Sequence, residues 1–256
     1  MFPESEDETI MPDNILYFIL GLFAFGAVLI KIAPLRNRVD SERQINDWVK
    51  YGSYLVLIVG MILLAGAGRF YLAIVLGIVA LAGTIELNNN LHCHKCLSLA
   101  ISLLFGAVIA LFLGHLILSP AGRWYDLFVY MFLTVAATDS YAQLWGKLLG
   151  RKKLCPHLSP GKTVEGMIGG IGTAVVCSGL LSWLLSLYSF PASLIPGGIV
   201  ALSAIAGDLL FSAIKRGLEI KDFSGLIPGH GGVLDRFDSL IIAAPVFYWT
   251  MKIFQF

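Results

Sequence analysis

Charged side chains are scarce in this 256-residue chain. Asp, Glu, Lys and Arg make up 14% of it, against about 25% in a typical soluble domain. Hydrophobic residues make up 57%, and the mean hydropathy is +0.79. These departures exclude an ordinary soluble domain and predict a polytopic membrane protein. The formal net charge is only +1, so the composition gives no indication of nucleic-acid binding.

Cysteine is also sparse, and residues 1–13 contain no Lys or Arg. Because that segment has five acidic residues and no positive region, it is predicted to be a solvated acidic tail rather than a signal peptide.

The sequence HCHKC at 92–96 offers four zinc-ligand side chains, but it is too short to wrap one tetrahedral ion, so we expect a polar loop. The four cysteines are too scattered for a disulfide framework: Cys93, Cys96, Cys155 and Cys177.

Long apolar runs dominate the chain. A bilayer core about 30 Å thick needs about 20 apolar residues per helix. The sequence predicts an all-α, polytopic integral membrane protein whose single membrane domain covers residues 1–256. A tight helical hairpin is predicted at residues 66–68. The eight predicted spans are 14–34, 51–67, 69–87, 97–118, 124–146, 164–189, 193–215 and 236–254.

The 18 Lys and Arg residues are distributed unevenly between the loops. If both termini lie outside, all but Arg69, Arg123 and Lys252 fall on the inner side, which agrees with the positive-inside rule. We therefore expect a multi-pass protein of the cell membrane with both termini outside. The polar segments 146–163 and 215–236 would then face the cytoplasm.

Carboxylates occur inside the predicted spans, where ionisable groups are costly and mark functional candidates. Asp139 and Asp208 each lie about seven residues before the inner end of a span, roughly 10 Å deep at 1.5 Å per residue. Glu86 and Glu165 lie near the inner ends of their spans and are left open between a site role and simple ion pairing.

Helical spacing places several of these groups on common faces. Asp208, Ser212 and Lys215 are spaced i, i+4, i+7. Asp235 and Asp238 are spaced i, i+3 at the start of the last span. Converging carboxylates suit Mg²⁺, which takes oxygen ligands and bridges to phosphates. The alternative is that these acids only pair with neighbouring Lys and Arg side chains.

The segment KDFSGLIPGHGGVLDRFDS, residues 221–239, combines charge with backbone freedom. Its PGHGG sequence is typical of a concave nest of backbone N–H groups that binds an anion. Lys221 and Arg236 would add charge-assisted contacts to phosphate oxygens. A different motif fails: GKT in SPGKTVEG suggests a P-loop, but Pro156 occupies the required glycine position and no strand is predicted before it.

Residues 212–238, SAIKRGLEIKDFSGLIPGHGGVLDRFD, resemble the signature of phosphatidate cytidylyltransferases, also called CDP-diacylglycerol synthases. A second stretch, DSYAQLWGKLLGRKKLCPHLSPGKTVEG at 139–166, is also similar to that family. It departs at Gly161, where the family usually has Lys, although Lys162 remains. Residues 1–135 resemble the family only in being hydrophobic and multi-spanning.

The resemblance implies transfer of CMP from CTP to phosphatidate, giving CDP-diacylglycerol and pyrophosphate, with catalytic motifs within residues 136–240. It implies Mg²⁺ as cofactor, with room for a second, monovalent cation, and a homodimer in the bilayer. Asp222 would hold Lys221 or a second cation, and Ser212 would bind metal or phosphate. The expected metal ligands are Asp208, Asp235, Asp238 and Asp139. The expected phosphate contacts are Lys162, Lys215, Arg216, Lys221, Arg236 and His230 with the backbone of Gly231 and Gly232.

Two other functions stay open at this stage. One is a cytidylyltransferase for another lipid phosphate, because the walls that bind the acyl chains lie in apolar spans that the sequence does not resolve. The other is an ion-coupled transporter, although such proteins often have paired repeats and the charged motifs here occur only in the C-terminal half.

Overall fold

The computed structural model describes residues 11–37, 41–90, 123–225 and 231–253. Within these ranges the chain forms seven helices and one two-stranded antiparallel sheet. The elements are α1 (Asp13–Asn37), α2 (Ser41–Ala67), α3 (Arg69–Asn90), α4 (Trp124–Leu149), β1 (Lys153–Cys155), β2 (Ser159–Thr163), α5 (Val164–Leu184), α6 (Phe190–Gly217) and α7 (Leu234–Ile253).

Five segments of the described helices are long and apolar enough to cross a membrane, which confirms an all-α membrane protein. They are Asp13–Ala33, Asp47–Ala67, Arg69–Asn90, Val164–Leu184 and Phe190–Gly217. Helices α4 and α7 overlap the predicted spans 124–146 and 236–254. The predicted span 97–118 lies outside the described residues, so the eight-span arrangement stays a prediction.

The predicted hairpin between α2 and α3 is confirmed. Helix α2 ends at Ala67 and α3 begins at Arg69, with Gly68 alone between them. Gly68 has φ +132°, a conformation that side chains of L-residues rarely adopt. Glycine at this position therefore lets two long apolar helices reverse direction through one residue.

Contacts between helix ends fix the relative directions of the helices. The guanidinium carbon of Arg69, at the start of α3, lies 5.5 Å from the ring centroid of Trp124, at the start of α4. Helices α3 and α4 therefore run in the same direction. At the opposite end, Lys147 near the end of α4 pairs with Asp47 in α2 at 2.6 Å. We call this the motif end of the bundle, because α4 and α6 end there and α7 begins there.

A β-hairpin at the motif end corrects the expectation that no strand accompanies the GKT sequence. Strands β1 and β2 pair with Lys153 opposite Thr163, and GKT lies within β2. The base of the hairpin is closed by Glu165 in the first turn of α5, whose carboxylate accepts hydrogen bonds from the backbone N–H groups of Arg151 and Lys152. Thr163 caps α5 by accepting from the N–H of Gly166 at 3.1 Å.

Helix α4 lies at the centre of the bundle and packs most extensively against α5. Its residues Phe128 to Val135 are all buried. Gly166 and Gly170, spaced i, i+4 on α5, allow its close packing against α4. A Cβ at Gly170 would lie 2.7 Å from the Cβ of Ala142 and 2.8 Å from the carbonyl oxygen of Thr138, both in α4.

Gly170→Ala is therefore expected to destabilise the bundle by about 1–3 kcal/mol, because overpacking forces two backbones apart. Gly172→Ala is the matched control, since a Cβ there meets nothing within 4 Å. Thermal unfolding in detergent micelles should give a lower midpoint for Gly170→Ala only. Equal midpoints for the two variants would contradict the described α4–α5 contact.

Candidate active site

The motif end contains a buried ion pair between α6 and α7. The Nζ of Lys215 lies 2.7 Å from Oδ1 of Asp235 and 3.8 Å from Oδ2 of Asp238. The side chains of Lys215 and Asp235 are 12% and 5% exposed. Charges so far from water are tolerated only with partners, because desolvation is expensive. The sequence left open whether Asp235 binds a metal or pairs with a neighbouring cation. In the structure it pairs with Lys215.

Asp235 also organises the backbone before α7. Its Oδ2 accepts hydrogen bonds from the N–H groups of Phe223 and Gly232, both at 2.9 Å. In the second bond a side chain of the first turn of α7 reaches back to an N–H just before the helix, as the acidic residue of a capping box does. Gly231 has φ +81°, and a Cβ there would lie 2.9 Å from Oδ2 of Asp235. Glycine is thus required where the chain passes the carboxylate.

A second ion pair joins the hairpin to α6. The Nζ of Lys162, in β2, lies 2.6 Å from Oδ2 of Asp208. The two side chains are 23% and 34% exposed, so this pair is more accessible than the Lys215 pair. The site residue in the hairpin is therefore held against a carboxylate that lies two helical turns before Lys215.

Asp139 and Asp238 complete the acidic group. The hydroxyl of Ser239 donates to Oδ1 of Asp139 at 3.1 Å, and the N–H of Ser239 donates to Oδ1 of Asp238 at 2.8 Å. Asp139 lies close enough to Asp208 and Asp238 for their negative charges to interact unfavourably with it. Three carboxylates from α4, α6 and α7 thus share one region.

The charges of this region are compatible with a bound cation. Four carboxylates share this region with the ammonium groups of Lys162 and Lys215, and carboxylate oxygens are the ligands that Mg²⁺ prefers. Among the ranges that the structure describes, no group of three or more His, Cys, Asp or Glu side chains forms a ready-made metal site. By charge and donor type the carboxylates of this region still fit a metal. The ligand roles stay a prediction for Asp208, Asp235, Asp238 and Asp139.

Arg216 is directed away from the acids. Its Nε donates to the carbonyl oxygen of Leu158 at 3.0 Å, and its Nη1 donates to that of Ile220 at 3.2 Å. Arg216 thus fastens the turn of the β-hairpin to the end of α6. Ser212 is buried in α6, one turn before Arg216.

The remaining predicted phosphate contacts lie at the edge of the site. Lys221 and Asp222 are both exposed, and no ion pair between them occurs among the described residues. Gly232 is buried and donates its N–H to Asp235. His230 lies outside the described residues.

Two helices of the N-terminal half also contribute, which the motifs did not predict. Arg236 donates from Nη1 to the hydroxyl of Tyr54 in α2 at 3.2 Å. Glu86 in α3 accepts from the backbone N–H groups of Val233 and Leu234 at the start of α7. Asn90, one turn later, donates to the carbonyl oxygen of Phe223 at 2.7 Å. A lone acid near the end of an apolar run was the only sequence signal for any of these.

The fold and site define a polytopic helical membrane protein that concentrates paired lysines and carboxylates at one end of its bundle. The protein-family model for the cytidylyltransferase family matches residues 15–254, nearly the whole chain. The chain therefore belongs to the cytidylyltransferase family.

Individual relatives match about half of the chain. A phosphatidate cytidylyltransferase of Bacillus subtilis is 39% identical over 127 residues, which are 49% of this chain and 47% of the relative. One of Aquifex aeolicus is 42% identical over 143 residues, covering 56% and 53%. Uncharacterized protein YnbB of Escherichia coli is 43% identical over 127 residues, covering 49% and 43%. The chain thus spans about half the length of the curated relatives it matches.

Lys215→Met is expected to destabilise the protein by about 3–5 kcal/mol, because it leaves the buried carboxylate of Asp235 without its cation. Lys221→Met is the matched control, since an exposed substitution changes stability by only about 0.5 kcal/mol. Thermal unfolding in micelles should separate the two variants clearly. The added substitution Asp235→Asn should restore part of the loss; if Lys215→Met unfolds like the control, the pair does not stabilise the fold.

Proposed function

We propose that this protein transfers CMP from CTP to phosphatidate, giving CDP-diacylglycerol and pyrophosphate. Membership of the cytidylyltransferase family and the name phosphatidate cytidylyltransferase, carried by relatives 39% and 42% identical, support this activity. The resemblance of residues 212–238 and 139–166 to that family's motifs agrees with the proposal.

The observation that carries the proposal is the pairing of two lysines with acids at one end of an apolar bundle. Lys162 comes from the hairpin and Lys215 from α6, and each ammonium group lies within 2.7 Å of a carboxylate. CTP is a soluble polyanion, whereas phosphatidate stays in the bilayer. A charged site at a helix-bundle end is where both can meet. Phosphate oxygens would compete with Asp208 and Asp235 for the same ammonium groups.

The reaction is a single displacement at phosphorus. A phosphate oxygen of phosphatidate attacks the α-phosphorus of CTP and forms the new P–O bond. The bond between the α-phosphorus and the oxygen that bridges to the β-phosphorus breaks, and pyrophosphate leaves with that electron pair. Such transfers depend mainly on positioning and on neutralising charge, so the protein needs no covalent intermediate.

The roles of the individual side chains follow the charges. Lys162 and Lys215 would neutralise phosphate oxygens inside the site, and Lys221, Arg236 and His230 with the Gly231–Gly232 backbone would bind phosphates at its edge. Arg216 would act from the hairpin side, Ser212 from within α6, and Asp222 would hold Lys221 or a second cation.

We propose Mg²⁺ as the cofactor, held by Asp208, Asp235, Asp238 and Asp139. When bound, it would neutralise phosphate charge. The excess of carboxylates over cationic groups in this region supports the proposal. Removal of divalent ions with a chelator should abolish product formation, and added Mg²⁺ should restore it; full activity in the chelator would rule out this cofactor.

The finer points of topology are proposals as well. We propose eight spans with both termini outside, so that the motif end faces the cytoplasm, where CTP is available. The distribution of Lys and Arg between the two sides supports this orientation. We also propose a homodimer in the cell membrane, which crosslinking in native membranes would test.

The proposed activity is tested with purified protein, CTP, phosphatidate and Mg²⁺, with the lipid product identified by mass. Asp208→Asn is expected to lower kcat about 100-fold or more, because the carboxylate meets the reacting phosphates or their metal. Asp47→Asn is the matched control, since Asp47 also pairs with a lysine at 2.6 Å and is similarly accessible but lies outside the acidic group. Equal activity in both variants would remove Asp208 from the site, and no product from wild type would refute the function.

A further inference from the structure

We infer that Glu86, in the N-terminal half of the chain, is a positioning residue for the catalytic segments before α7, a role that rests on the proposed function. The segments concerned are residues 221–225 and 231–234, here called the signature segments. Neither motif that resembles the family includes Glu86.

Glu86 binds both signature segments at once. Its Oε1 accepts from the hydroxyl of Ser224 at 2.6 Å and from the N–H of Val233 at 2.9 Å. Its Oε2 accepts from the N–H of Leu234 at 2.9 Å. The side chain thus caps α7 from another helix, satisfying two N–H groups that a helix start leaves without partners.

Asp235 binds the residues next to those that Glu86 binds. Glu86 holds Ser224, whereas Asp235 holds the N–H of Phe223. Glu86 holds Val233 and Leu234, and Asp235 holds Gly232. The carboxylates of Glu86 and Asp235, from different helices, therefore hold the same two segments together. Asp235 is also the ion-pair partner of Lys215.

The fit around Glu86 is tight. Glu86 is buried, at 7% exposure. A Cβ at Gly232 would lie 2.6 Å from Oε2 of Glu86, so this glycine is needed for the close approach. Asn90, one turn later on α3, donates to the carbonyl oxygens of both Glu86 and Phe223. Helix α3 therefore presents a two-residue clamp to the signature segments.

The contacts of Glu86 position the backbone of the signature segments and do not involve the cations that would bind substrate. No described ion pair joins Glu86 to a cation of the site, so its loss leaves the charges that attract CTP in place. Without it, the signature segments next to Asp235 lose three hydrogen bonds to α3. Displacement of reacting groups by about 1 Å can cost on the order of 100-fold in rate. The expected effect therefore falls on kcat rather than on KM.

The test compares Glu86→Gln with Thr84→Val in full-length protein. Gln has the same shape but replaces one acceptor oxygen with a donor, which cannot accept from a backbone N–H. Thr84 is the matched control on α3, because its one hydroxyl bond within the described part of the chain goes to the carbonyl oxygen of Ala80 in the same helix. With CTP, phosphatidate and Mg²⁺, kcat per folded protein should fall about 10- to 100-fold in Glu86→Gln, with KM for CTP within about threefold. Thr84→Val should match wild type.

A second measurement does not depend on activity. Trypsin cleavage after the exposed Lys221 should be several-fold faster in Glu86→Gln than in Thr84→Val, because the carboxylate that holds Ser224 against α3 is gone. If wild type forms no CDP-diacylglycerol, the proposed function fails and the cleavage rates alone decide whether Glu86 holds the segments. If Glu86→Gln does not fold, Ser224→Ala, which removes one donor, should still lower kcat about threefold. A wild-type kcat per folded protein, or cleavage equal to the control, would overturn the inference.

Discussion

Lys215 and Asp235 form an ion pair between α6 and α7 with almost no access to water. Such a pair is costly to bury, and it persists only if its remaining hydrogen-bonding groups are also satisfied. That requirement explains how the backbone is arranged around Asp235 at the motif end. The second oxygen of Asp235 holds the N–H groups of Phe223 and Gly232, and glycine stands at 231 because the backbone passes so near. The chain before α7 is thus shaped around one carboxylate.

The site is assembled from both halves of the chain. Helices α4, α6 and α7 and the hairpin supply the acids and lysines. All of these except Asp208 lie within the stretches that resemble the family's motifs. Helices α2 and α3 supply Tyr54 and Glu86, which hold the residues of the motif in place. The N-terminal half therefore supports the site through hydrogen bonds, although its apolar composition gives little indication of this. The family model matches residues 15–254 and so covers both halves.

The helices could be predicted because apolar runs of spanning length and the glycine at 68 are local signals. Asp139 and Asp208 could be predicted as candidates because charge in an apolar span is rare, whereas Lys162 was indicated by the resemblance of its segment to the family. Their partners could not, since the contact between Glu86 and Leu234 joins residues 148 positions apart. The β-hairpin was missed because its strands are three and five residues long and contain lysine and proline, without an alternating pattern. Its base is held by Glu165, a partner in the following helix.

We propose that an acidic and lysine-rich site at the motif end moves the CMP unit of CTP onto a lipid phosphate. The most direct measurement follows the label from two samples of CTP, one labelled at the α-phosphorus and one at the γ-phosphorus, incubated with protein, phosphatidate and Mg²⁺. We expect the α-label to enter the lipid fraction and the γ-label to be recovered in pyrophosphate. Label from the γ-phosphorus in the lipid, or from neither position, would contradict it.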